Sequence, residues 1–148
     1  MLIELARAAH DAAAARHAQC AEAYTQAQRQ LDVLRGYQRE YERRALDTRS
    51  RGLDAAAQDN WRVFLQRLQT AVAEQTKEVA RRQQQRQAAA AELAQARARL
   101  ASLEKLAQRQ ARAAQQRQAR REQRQLDELA RRGLDSRFGP HGLALKGW

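Results

Sequence analysis

Apolar and small residues recur every three or four positions along the first third of the chain, which is the spacing of a coiled-coil seam. With Leu31 placed at heptad position a, the register holds from Ile3 to Ala45 without a skip. Its members are Ile3, His10, His17, Tyr24, Leu31, Gln38 and Ala45 at position a, and Ala6, Ala13, Cys20, Ala27, Leu34 and Tyr41 at position d. This narrow, partly polar seam predicts a first helix over about 3–48.

A second register begins at Trp61 and is more apolar. It runs through Trp61, Leu65, Leu68, Val72, Gln75 and Val79, weakens at Arg82 and Arg86, and recovers through Ala89, Leu93, Ala96, Leu100, Leu103 and Ala107. Beyond Ala107 the same positions hold Gln110, Ala114, Arg117, Arg121 and Arg124, so the seam ends there. A heptad kept over this length implies a left-handed supercoil with a partner helix, and it predicts a second helix over about 61–132.

The segment between the two registers, RSRGLDAAAQDN at 49–60, is predicted to be a hinge. Gly52 can adopt the left-handed conformation that ends a helix, and Asp54, Asp59 or Asn60 can cap the next helix. Two helices joined by so short a hinge are expected to pair antiparallel.

The sequence therefore predicts an all-α fold, a long antiparallel two-helix coiled-coil hairpin over residues 1–132 with a projecting C-terminal helix and a flexible tail over 133–148. At about 1.5 Å per residue, the first helix covers the second only as far as about Leu106. That limit agrees with the end of the seam at Ala107. A homodimer through the same seam stays an alternative, because the pattern only requires some partner helix.

Composition and charge narrow the class of protein and of partner. Only 5% of the residues are aromatic and the mean hydropathy is −0.88, which argues against a thick globular core. The formal net charge is +11. Past the end of the seam, arginines surround a single acid, Glu122, at Arg109, Arg112, Arg117, Arg120, Arg121 and Arg124. Arginine pairs with carboxylate and phosphate, so acidic proteins, anionic membrane surfaces and nucleic acid all fit.

Nucleic-acid binding through the arginine face of residues 97–124 is therefore one hypothesis for function. Phosphate contacts would make the affinity fall steeply with salt. The segment lacks aromatic side chains on which bases could stack, which weakens the hypothesis for single strands.

The sequence contains no arrangement of side chains typical of catalysis or cofactor binding. A glycine-rich phosphate loop, an HExxH pair and a serine elbow are all absent. His17 and Cys20 share a helix face but have no second ligand pair, so we predict no metal, no cofactor, no small-molecule substrate and no enzyme activity. The single cysteine and the lack of a signal-peptide pattern favour a reducing cytoplasm.

Four segments together resemble the FliJ family of flagellar type III export proteins. They are LDVLRGYQREYERR at 31–44, NWRVFLQRLQTAVAEQ at 60–75, SLEKLAQRQ at 102–110 and LDELARR at 126–132. Their order and spacing are similar to the family's across nearly the whole chain up to Arg132. The stalk proteins of virulence injectisomes are the nearest alternative.

The resemblance implies a cytoplasmic stalk. Members of the family form an antiparallel coiled coil that sits in the pore of the hexameric export ATPase FliI, bind the export gate protein FlhA at the cytoplasmic face of the inner membrane, and in some cases escort export chaperones. ATP hydrolysis would then occur in the ring. A bare, arginine-rich helix end suits an acidic or carbonyl-lined pore, so the arginines at 109–124 are the expected contact with the ring.

The resemblance also implies a gate-binding stripe on the second helix. It maps onto Phe64, Leu68 and Ala71, with the next turn at Gln75. The first three match the family's residue types, whereas Gln75 differs from the imidazole that a known member has at this position. Spacings of four, three and four put these residues on one helix face. In the heptad register Phe64 and Ala71 are at position g, beside the seam, so Phe64 has an alternative role in packing over its own hairpin.

Overall fold

The described part of the chain, residues 1–52 and 54–138 of the computed structural model, consists of two helices without a strand. Helix α1 spans Leu2–Ser50 and helix α2 spans Ala55–Phe138. The chain divides into two units, Met1–Leu100 and Ala101–Trp148. The predicted all-α class is confirmed, and within the described residues no helix is long and apolar enough to span a membrane.

Within the first unit, α1 and α2 pair antiparallel. The Tyr41 and Trp61 rings lie 5.9 Å apart near the turn. Farther along, Gln75 Nε2 donates to the Ala27 carbonyl at 2.9 Å, and Arg16 pairs with Glu92 at 3.3 Å. Residues progressively earlier in α1 therefore meet residues progressively later in α2, as in a hairpin whose seam is filled by its own chain.

The predicted seam positions are buried or half-buried in both helices, from Ile3 to Ala45 and from Trp61 to Ala107. The core is made almost entirely of alanine: its members are Ala6, Ala13, Ala27, Leu31 and Ala89. Small side chains let two helices approach closely but bury little apolar area, about 25 cal/mol being gained per Å². The seam therefore stabilises the hairpin modestly along its length.

Tyrosine and arginine side chains fill the weak part of the second register. The Arg86 guanidinium lies 4.4 Å from the centroid of the Tyr24 ring, a cation–π contact. Arg82 Nε donates to Glu78 Oε1 at 2.8 Å. The aliphatic stems of Arg82 and Arg86 thus occupy seam positions, and both residues are half-buried.

The turn is shorter than the predicted hinge of 49–60. Gly52 has φ 69°, the left-handed conformation expected of it, and its N–H donates to the Arg49 carbonyl. Asp54 Oδ1 accepts the Ala56 N–H at 2.7 Å, so Asp54 caps α2. Asp54 precedes the other two candidate caps, so α2 begins at Ala55 and includes the three alanines that follow Asp54. Asp59 lies inside the helix and pairs with Arg62 at 3.2 Å.

In the second unit, α2 continues through Gly133 to Phe138 instead of ending near 132. A helical glycine costs about 1 kcal/mol relative to alanine, which does not stop a long helix, and no proline occurs before Pro140. Ser136 Oγ donates to the Gly133 carbonyl at 3.0 Å across this turn. Residues 133–138 of the predicted flexible tail are therefore helical, and the rest of the predicted tail lies outside the described residues.

Candidate functional site

Phe64, the first residue of the predicted gate-binding stripe, is only partly covered by the hairpin. Its ring meets Tyr41 edge-on at 4.9 Å and Trp61 at 6.3 Å between centroids. Even so, 42% of Phe64 is exposed. The side chain therefore packs over its own hairpin and also leaves an apolar face exposed.

The other residues of the stripe are less available. Leu68 and Ala71 are half-buried, and they continue the exposed edge of Phe64 along α2. Gln75 is also half-buried, and its Nε2 donates to the Ala27 carbonyl at 2.9 Å and to Gln30 Oε1 at 3.2 Å. The donor group of Gln75 is thus already used by α1.

Helix α1 places exposed apolar side chains beside the Phe64 stripe, and the sequence pattern did not predict their position there. Tyr37 is 51% exposed and lies 6.3 Å from the Tyr41 ring. Val33, one turn earlier, is 54% exposed. The YQREY motif marks two tyrosines on one helix face, but only the pairing with α2 shows that Tyr41 contacts Phe64.

We call these residues the two-helix face: Val33, Tyr37 and Tyr41 of α1 with Phe64, Leu68 and Ala71 of α2. At one end, Tyr41 and Phe64 are in contact. At the other end, Gln75 and Gln30 are hydrogen-bonded beside a shallow recess of about 400 Å³, which Val33 and Leu34 also line. An aromatic and aliphatic surface with a polar border is the usual form of a protein-binding site.

The predicted ring-contact arginines form a chemically different surface in the second unit. We call residues 109–124 the arginine segment. Every residue from 108 to 137 is exposed. Successive residues of a helix are rotated by about 100°. On this basis one half of the helix surface carries all six arginines of the segment: Arg109, Arg112, Arg117, Arg120, Arg121 and Arg124.

These arginines have no carboxylate partner among the described residues. The acid within the segment, Glu122, lies on the opposite half and accepts a hydrogen bond from Gln118 at 3.1 Å. Two turns later the arrangement changes, because Glu128 pairs with both Arg131 and Arg132 at 3.4 Å. The arginine segment is thus a one-sided, unneutralised cationic surface suited to an acidic partner.

The family model described as Flagellar FliJ protein matches residues 1–137, which confirms the resemblance seen in the sequence motifs. No curated protein and no solved structure matches significantly.

Proposed function

The chain belongs to the FliJ family and is therefore a component of flagellar protein export, and from this premise we propose that it is the coiled-coil stalk of the hexameric export ATPase FliI. In this role the stalk also links the ring to the export gate protein FlhA at the cytoplasmic face of the inner membrane, and it escorts export chaperones. In this proposal the ATPase ring hydrolyses ATP, and the stalk does not. The family match favours the flagellar system over an injectisome.

The observation that carries the stalk proposal is the arginine segment. It is exposed over its whole length and carries an excess of charge that the described residues do not neutralise. A pore lined by carboxylates or carbonyl oxygens would satisfy it. Because the arginines lie on one half of the helix, subunits around a ring would meet different chemistry, which is a means of biasing their nucleotide states differently.

Ring assembly tests this role. We expect the chain to bind the purified export ATPase and promote hexamer formation, and we expect the affinity to fall with salt, because exposed charges are screened. Replacing Arg109, Arg112, Arg117, Arg120, Arg121 and Arg124 by glutamine should abolish the effect. Replacing Arg131 and Arg132, whose charges are already paired with Glu128, is the control and should change little. Failure of the natural chain to bind the ATPase would refute the stalk role.

We propose that the gate protein binds the two-helix face, with Phe64, Leu68 and Ala71 in contact and Gln75 at the edge. The support is that Phe64 of α2 and Tyr37 of α1 keep exposed aromatic edges, at 42% and 51% exposure. Partly exposed aromatic side chains commonly carry much of the binding energy of an interface.

Phe64→Ala tests this surface. We expect FlhA binding to weaken by about thirtyfold or more, since an aromatic anchor contributes about 2 kcal/mol or more. The melting temperature should fall only slightly, because Phe64 is already 42% exposed. Val63→Ala is the matched control: Val63 is 44% exposed on a different helix face and should leave binding unchanged. A loss of stability with full binding would assign Phe64 to the hairpin core.

Nucleic-acid binding is the second candidate, favoured by the same unneutralised arginines. A filter-binding titration of duplex DNA at two salt concentrations tests it. Submicromolar affinity that falls steeply with salt would support this function. Binding weaker than micromolar would exclude nucleic-acid binding as the function.

A further inference from the structure

Gln75 occupies a seam position where a coiled coil usually places an apolar side chain. Its neighbours in the register, Val72 and Val79, are apolar. The two hydrogens of its amide group serve two acceptors on α1, the Ala27 carbonyl at 2.9 Å and Gln30 Oε1 at 3.2 Å. Gln75 thus links the two helices by hydrogen bonds at a seam position whose neighbours in the register are apolar.

This tie is specific for one alignment of the helices. Ala27 is only 5% exposed, so the hydrogen bond to its carbonyl forms where water has little access. Sliding α1 along α2 by one heptad would put Ala23 or Tyr37 in place of Gln30, so the half-buried Gln75 amide would lose its side-chain acceptor. The short connection between Ser50 and Ala55 limits sliding near the turn, but the alanine core adds little resistance farther along, because alanines at successive heptad positions are interchangeable in shape.

Alignment matters because the two-helix face is assembled from both helices. Gln75 and Gln30 join the helices at one end of the face, and Tyr41 and Phe64 join them at the other. Between these ties lie Val33 and Tyr37 of α1 and Leu68 and Ala71 of α2.

We propose that Gln75 is a positioning residue for the two-helix face: it fixes the register of α1 against α2 and does not itself bind the partner. This inference rests on the proposed gate-binding function. It revises the expected role of Gln75, because the donor group that a contact would use is engaged within the hairpin.

The variant Gln75→Leu distinguishes an effect on helix register from an effect on hairpin stability. Leucine suits the seam position, so the melting temperature should stay the same or rise. FlhA binding should nevertheless weaken, by about two- to tenfold if the lost hydrogen bonds contributed about 0.5–1.5 kcal/mol to the binding-competent register. Gln30→Ala, which keeps the bond to Ala27, should have a smaller effect. Unchanged binding by Gln75→Leu would overturn the inference.

A chemical bridge distinguishes positioning from contact. In a Cys20→Ala background, the pair Gln30→Cys/Gln75→Cys can be joined by dibromo-m-xylene, which ties the helices without an amide. If Gln75 only positions the helices, the double-cysteine variant should bind FlhA weakly before it is cross-linked. After cross-linking it should bind about as well as the natural chain. If Gln75 is a contact residue, the bridged protein stays weak, and that result contradicts the proposal.

Register can also be measured without the gate protein. Spin labels at the exposed positions 32 and 70, in the same Cys20→Ala background, should give a narrow distance distribution, and Gln75→Leu should broaden it or add a second distance. An equally narrow distribution in both proteins would contradict the positioning role. If the natural chain fails to bind FlhA while the distances respond as expected, the proposed gate binding fails and the register role of Gln75 stands.

Discussion

Phe64 and Gln75 lie three turns apart on the same predicted stripe, yet the structure gives them different surroundings. Phe64 at position g keeps an exposed face beside Tyr41, whereas Gln75 at position d turns its amide into the seam toward Ala27. Heptad position predicts this difference in burial. It does not predict the acceptor on α1, because that depends on how the two registers align.

Glu78 offers a prediction at the same scale. Hydrogen bonds from Arg81 first, and also from Arg82, hold the pKa of its carboxyl below the ordinary value of 4.5. A pKa lowered by folding means that the carboxylate stabilises the fold above the unfolded-state pKa and that this is lost as the pH falls through the folded-state pKa. Thermal melts of Glu78→Gln should therefore lie slightly below those of the natural chain at pH 7, and the two should converge on acidification below pH 4.5.

Glu22→Gln is the matched control for this measurement, since Glu22 is exposed and no ion pair of the described residues involves it. It should show no such pH-dependent difference. A gap between Glu78→Gln and the natural chain that persists unchanged at low pH would show that the ion pairs are not its cause.

At the scale of the helices, the hydrophobic period predicted the seam well because burial in a coiled coil follows the heptad directly. Even the weak positions Arg82 and Arg86 are half-buried as the register requires. The helix ends were harder to predict. Asp54, Asp59 and Asn60 are all competent caps, and only the structure shows that Asp54 is used. Gly133 resembles a stop signal, but a helix tolerates the small cost of one glycine.

Replacing either of two glycines by alanine should change the stability of the hairpin, in opposite directions. Gly52 has φ 69°, so Gly52→Ala should destabilise the hairpin by about 1 kcal/mol or more through backbone strain. Gly36 lies inside α1, and an added Cβ there meets nothing within 4 Å. Gly36→Ala should accordingly stabilise by about 1 kcal/mol. Urea unfolding of both variants measures the two changes, and equal effects would show that the left-handed turn does not constrain the hairpin.

At the scale of the whole molecule, the two units carry different chemistry. Residues 1–100 contain the alanine core and the two-helix face, whereas the arginine segment lies in the unit that begins at Ala101. The positions of the arginines were evident from the sequence. The α1 half of the two-helix face was not, because Tyr37 and Tyr41 by themselves are equally consistent with a widened seam.

The stalk role that we propose for this chain predicts a change in ATP turnover by the reconstituted export ATPase ring. A useful comparison is a variant of identical composition in which three exchanges spread the arginines around the helix: Gln108→Arg with Arg109→Gln, Ala111→Arg with Arg112→Ala, and Arg124→Gln with Gln125→Arg. We predict that the natural chain raises turnover and that the rearranged chain, despite its equal net charge, does so much less. Turnover that is the same with and without the natural chain would contradict the account.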